Sequence, residues 1–229
     1  MDRALPPERS AWLAWLPVIA TALFYTLPSD FQSRRAIQFV PQALAYLALT
    51  IWGMRNTGVA GRLGLQPACF SLGLRWGLVT GLILGALNVA VILLLVPALG
   101  RDITFLRDTP HAGIPAVIML PWLIGAIAVF VEVNFRGFLL GRLLALAEQT
   151  VPALPPPLAS SLAVMTTALT FSFDPFLMVT FQHLHWIAVW DGLVWGLLWL
   201  RLRNLYAPIV AHAVEVMVVY SVLREVLIS

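Results

Sequence analysis

The chain has 229 residues, of which 60% are hydrophobic and only 11% charged, and its mean hydropathy is +0.89. A soluble domain carries about 25% charged and about 45–50% apolar residues, so this composition excludes an ordinary soluble fold and indicates a membrane protein. All 14 basic residues are arginines, the net charge is only +3, and no basic run interleaves with aromatics as a nucleic-acid surface would require. Cys69 is the only cysteine, which excludes intramolecular disulfides and multi-thiolate metal sites.

A spanning helix needs about 20 mostly apolar residues. The apolar runs predict an all-α polytopic transmembrane helical bundle of about seven spans, near 11–27, 37–54, 73–99, 114–133, 157–173, 184–202 and 206–226. No small-residue cleavage site follows the first run, which therefore reads as an uncleaved first span. The whole chain, 1–229, reads as one integral membrane domain. Turn chemistry separates the runs at Pro28-Ser29-Asp30, from Asn56 to Pro67, from Gly100 to Pro115, from Pro152 to Pro157, and at Asp174-Pro175. Phe70 to Trp76 could lie along the interface rather than cross it. Gly77, Gly81 and Gly85 repeat every fourth residue, the spacing that lets helix backbones approach closely in lipid. Counting arginines on alternate sides gives nine with the N-terminus, Arg136 and Arg142 among them, against five opposite. That bias predicts a cytoplasmic N-terminus in a cell inner (plasma) membrane.

Ionisable side chains in a span cost about 2.5–3.5 kcal/mol each on insertion scales, so each needs a partner, a cavity or a task. They are few: Glu132, Arg136, Asp174, Asp191, His212 and Glu215, with neutral Asn88 and Asn134. All but Asn88 fall in the second half of the chain, which predicts one cluster built by the last four helices. Glu132 and Arg136 stand four apart with the acid first, the favourable order for an ion pair on one helical face. Such a pair either neutralises itself so that the helix can insert, or holds a carboxylate to position and deprotonate water. His212 and Glu215 stand three apart and share a face, where the histidine could be a packing residue, a general base, an oxyanion donor or a ligand.

These groups resemble the motifs of the CPBP family of intramembrane proteases, bacterial relatives of the CAAX prenyl endopeptidases. Glu132-Val-Asn-Phe-Arg136-Gly137-Phe138-Leu139 is similar to the family's Glu-Glu-x-x-x-Arg-Gly-Phe-Leu. Gly192-Leu-Val-Trp-Gly196, Leu205-Tyr-Ala-Pro-Ile209 and His212 resemble its last helix pair, and the likeness covers about 60–220. The resemblance implies a glutamate-type endopeptidase fold with catalytic positions at Glu132, Arg136, Asp174 and His212, to which Glu215 and His185 are added as neighbours. Its water-activating acid matches Val131, and the Asn or Asp four residues after the histidine matches Val216. The middle Phe-x-x-x-His falls on Thr170 to Asp174, or, as a literal match, on Phe181 to His185.

Two functions follow. One is a catalytically degenerate member of the family that acts as an assembly or binding subunit with another integral membrane protein. The other is an active endopeptidase cutting membrane-anchored or prenylated peptides, with Glu132 or Glu215 as base. Membrane lipids are expected partners, no cofactor is implied, and a metal at His183, His185, Asp174, His212 and Glu215 is a third, weaker arrangement, because alternate residues diverge on a helix. Trp186, Trp190, Trp195 and Trp199 give one helix a broad aromatic face, for interface anchoring or for a partner or lipid-soluble ligand.

Overall fold

The computed structural model describes residues 7–227, and these form helices and connecting turns with no strand among them. The helices are α1 (Ala11–Phe24), α2 (Arg35–Arg55), the short α3 (Val59–Leu63), α4 (Phe70–Ala90), α5 (Ala116–Thr150), α6 (Pro156–Ser172), α7 (Pro175–Phe181), α8 (Ile187–Leu202) and α9 (Tyr206–Leu227). Together they make an all-α membrane bundle.

Helix lies at each of the seven expected places, but four segments are long and apolar enough to cross a membrane, or five if the bent pair α6–α7 counts as one span. Length is the reason. With 16 residues, α8 rises about 24 Å at 1.5 Å per residue, less than the ~30 Å hydrocarbon core. Phe70 to Trp76 forms the first part of α4. One other expectation is corrected. The fourth span does not stop near 133; α5 runs on to Thr150, so Arg136 and Arg142 are buried helix residues and drop out of the loop arginine count.

The glycine repeat of α4 is a contact face. A methyl group on Gly73 would sit 2.7 Å from Tyr206 Cβ, on Gly77 2.5 Å from Val210 Cβ, on Gly81 2.6 Å from the Ala211 carbonyl oxygen, and on Gly85 2.8 Å from Val218 Cβ. Real Cβ atoms do not come that close, so α4 and α9 can touch along four turns only because these positions lack side chains. Gly192 and Gly196 give α8 a less extreme close approach, where added methyl groups would meet Ala168 and Val164 of α6 at 3.0 and 3.1 Å and the neighbours would have to shift by a few tenths of an ångström.

The middle of α5 meets both pairs, for Glu132 reaches His212 of α9 while Arg136 lies against Phe171 of α6 and Trp195 of α8. Every residue from Asn134 to Leu144 is buried, and the stretch Val133–Leu140 is wound more widely than an α-helix, with i→i+5 hydrogen bonding. Beyond it, Arg142 forms an ion pair at 2.5 Å with Glu8, which also accepts a hydrogen bond from Trp52 Nε1 at 2.9 Å. This contact fastens the segment before α1 to the far ends of α2 and α5.

Gly77→Ala is expected to lower stability by about 1–3 kcal/mol, because the α4–α9 contact has no room to absorb a methyl group. Gly53→Ala on α2, where a methyl group meets nothing within 4 Å, is expected to be neutral or mildly stabilising. Thermal unfolding of the detergent-solubilised pair of variants checks both.

Candidate functional site

Glu132 is completely buried where α5 passes between its neighbours. Its Oε1 accepts from Arg136 Nη1 at 3.0 Å and from His212 Nδ1 at 2.8 Å. The expected pair of Glu132 and Arg136 therefore forms, although the backbone that carries Arg136 is wide-wound, and His212 of α9 joins it. An ionised carboxylate only accepts hydrogen bonds, so the hydrogen of a neutral His212 sits on Nδ1 and its lone pair on Nε2. The imidazole lies flat on Trp195, with ring centres 4.3 Å apart and an interplanar angle of 14°. Arg136, equally buried, has its guanidinium carbon 4.9 Å from the Phe171 ring centre and 5.0 Å from that of Trp195. The rings supply cation–π contacts where water is excluded.

A second polar cluster lies beside the first. Asn88 of α4 donates from Nδ2 to both carboxylate oxygens of Asp191 at 3.2 Å and to Glu215 Oε1 at 2.9 Å, and its Oδ1 accepts from Trp190 Nε1 at 3.0 Å. Glu215 thus belongs to Asn88 and Asp191, not to His212 three residues before it. The sequence undervalued Asn88 because it stands in the first half of the chain. Its signal was the glycine stripe: Asn88 follows Gly85 by three residues, hence lies on the same face, the one that meets α9.

A cavity of about 650 Å³ opens next to both clusters. His212, Trp195, Asn88, Asp191 and Glu215 line it, and so do Val131 and Val216, while Glu132 and Arg136 stand behind the wall. The two valines therefore occupy cavity-facing positions beside the histidine.

Asp174 and His185 also line this cavity without joining either cluster. Asp174 sits at the break between α6 and α7, where the chain turns by 56°. Its Oδ1 caps α7 by accepting from the amides of Phe176 and Leu177 at 3.1 and 3.2 Å, and accepts from Gln42 Nε2 of α2 at 2.9 Å. His185 Nδ1 is 2.7 Å from the Gln182 carbonyl oxygen, and its ring packs on Phe173. One cluster of all the intramembrane acids was expected; two clusters and a separate helix cap are found, because the cap and Gln42 use up Asp174's oxygen on α7 and α2. Among the described residues no three His, Cys, Asp or Glu side chains are grouped to hold a metal ion, and the proposed five-residue metal set is dispersed between α7, the turn after it, and α9.

Removing Glu132 alone strands Arg136 in an apolar interior. Glu132→Ala is expected to cost about 3–5 kcal/mol, whereas the double variant Glu132→Ala with Arg136→Met is expected to recover most of that loss. Unfolding midpoints of wild type, the single variants and the double variant measure the coupling.

Residues 113–218 match the family model described as Rce1-like, "Type II CAAX prenyl endopeptidase Rce1-like". No curated protein and no solved structure matches the chain. The matched segment holds α5 through α8 and most of α9, and with them every member of both polar clusters except Asn88. Over that segment the chain is similar to the CAAX-protease-like family, and its long apolar helices are those of a multi-pass membrane protein.

Proposed function

We propose that this chain is a non-hydrolytic member of its family, a membrane subunit that uses the scaffold to bind rather than to cut. The observation that carries the reading is the cavity wall beside His212, which is built by Val131 and Val216. Peptide hydrolysis needs a base within hydrogen-bond reach of water and a donor for the oxyanion. At the two positions where the family resemblance calls for the water-activating acid and its polar companion, this chain presents isopropyl groups. Glu132, the acid that persists, is engaged by Arg136 and His212 behind that wall. Its role in this reading is structural: it neutralises a buried arginine and fixes a histidine ring.

A second reading has one specific observation in its favour. A carboxylate 2.8 Å from His212 Nδ1 orients the imidazole as the acid of a catalytic triad orients its histidine, and Nε2 is then left as a base for water in the cavity. In that reading Glu132 and Arg136 position His212, and the chain is an endopeptidase for membrane-anchored or prenylated peptides.

The binding reading assigns the chain to the cell inner (plasma) membrane with its N-terminus in the cytoplasm and another integral membrane protein as its partner.

Incubation of the purified full chain with a farnesylated Cys-aliphatic-aliphatic-X peptide in lipid nanodiscs is expected to give no cleavage by mass spectrometry. Cleavage that disappears in His212→Ala and persists in Val216→Ala would overturn the non-hydrolytic reading in favour of the second. Affinity purification from native membranes is expected to bring down a stoichiometric integral membrane protein; recovery of this chain alone would contradict the subunit role.

A further inference from the structure

We infer that the cavity is a lipid site, which takes one chain of a membrane lipid from the end near Arg107 and Arg224 and holds an anionic headgroup between those two arginines. The inference deepens the binding reading and rests on it.

Three observations support it. First, the cavity wall is largely apolar, and its size falls in the range of small-molecule sites, roughly 300–1,000 Å³. Second, Arg107, in the connection between α4 and α5, and Arg224, in the last turn of α9, both line the cavity. Neither forms an ion pair among the described residues. Arg107 is exposed, and Arg224 Nη1 donates only to neutral oxygens, the Tyr220 hydroxyl at 2.8 Å and the Ile114 carbonyl at 3.4 Å. Arg224 reaches Ile114 of the same α4–α5 connection that carries Arg107, and two cations without acidic partners in the lining of a largely apolar cavity complement a phosphate ester, which arginine binds with charge-assisted hydrogen bonds.

Third, the depth fits one leaflet. His212 and Arg224 lie on the same helix, and their 12-residue separation corresponds to about 18 Å at 1.5 Å per residue. Half of the ~30 Å hydrocarbon core is about 15 Å. A single acyl chain with its headgroup at Arg224 therefore ends near the level of His212 and Asn88. Along the way it passes Val219 and Leu223, which face the cavity. His212 and the Asn88–Asp191–Glu215 cluster line the cavity at that level together with Val131 and Val216, and the chain's methyl end meets the two valines.

Native mass spectrometry of the full chain tests the proposal, after exchange into detergent with equal amounts of phosphatidylglycerol and phosphatidylcholine of matched chains. One retained phosphatidylglycerol per protein is expected, at about tenfold preference over phosphatidylcholine. Arg107→Gln with Arg224→Gln is expected to abolish the preference. Because Arg224 also ties α9 to Ile114, Arg107→Gln alone serves as the second variant and is expected to reduce it severalfold. Val219→Trp, which fills the cavity, is expected to abolish retention of both lipids. Equal retention of the two lipids, or a preference that survives both arginine variants, would overturn the headgroup assignment; retention unchanged in Val219→Trp would overturn the cavity assignment. Displacement of phosphatidylglycerol by a peptide through its free C-terminal carboxylate would replace the lipid by a peptide as the occupant. None of these outcomes depends on whether the chain cleaves peptides or co-purifies with a partner, so failure here is distinct from failure of the binding reading.

Discussion

The structure depends on one buried carboxylate. Glu132 neutralises Arg136 in a region where neither reaches water, and the same oxygen receives His212 from α9. An unpaired arginine in that position would face a desolvation cost of several kcal/mol. The charge pair therefore joins α5 to α9 and permits the wide-wound stretch of α5 to run through the bundle interior. Trp195 and Phe171 then close over the guanidinium and the imidazole, which places α6 and α8.

Close helix approach is the second constraint and it serves the first. Because α4 presents glycines to α9, the two backbones come near enough for Asn88 to bridge Asp191 and Glu215. Gly192 has a comparable role on α8: a methyl group there would lie 3.4 Å from Arg136 Nη2 and 3.0 Å from Ala168. The small residues thus create the space that the polar groups occupy. The polar groups in turn supply interhelical hydrogen bonds that an apolar seam in lipid lacks.

Much of this was legible in the sequence, and the parts that were not have physical causes. Composition and apolar runs identified an all-α membrane bundle, and the four-residue spacing of Glu132 and Arg136 identified their ion pair. Span boundaries were less legible, since apolar residues continue through α5 where it is surrounded by protein rather than lipid. Hydropathy does not distinguish those surroundings. Helical spacing suggested that His212 and Glu215 act together, yet they separate because each finds a partner on a different helix, Glu132 on α5 and Asn88 on α4. Asp174 looked like a substituted histidine; the Pro175 that follows it makes it a helix cap. The significance of Val131 and Val216 came from family resemblance, and the structure adds that both face the cavity.

The central claim is that an apolar wall stands beside His212 where a water-activating acid would be needed. Thiol accessibility tests it most directly, in a Cys69→Ser background carrying Val131→Cys, Val216→Cys or, as a control in the packed core, Ala128→Cys. Labelling by a small membrane-permeant methanethiosulfonate reagent is predicted at 131 and 216 and not at 128, which is fully buried. Protection of 131 and 216 to the same degree as 128 would show that the valines do not line an open cavity, and would contradict the account.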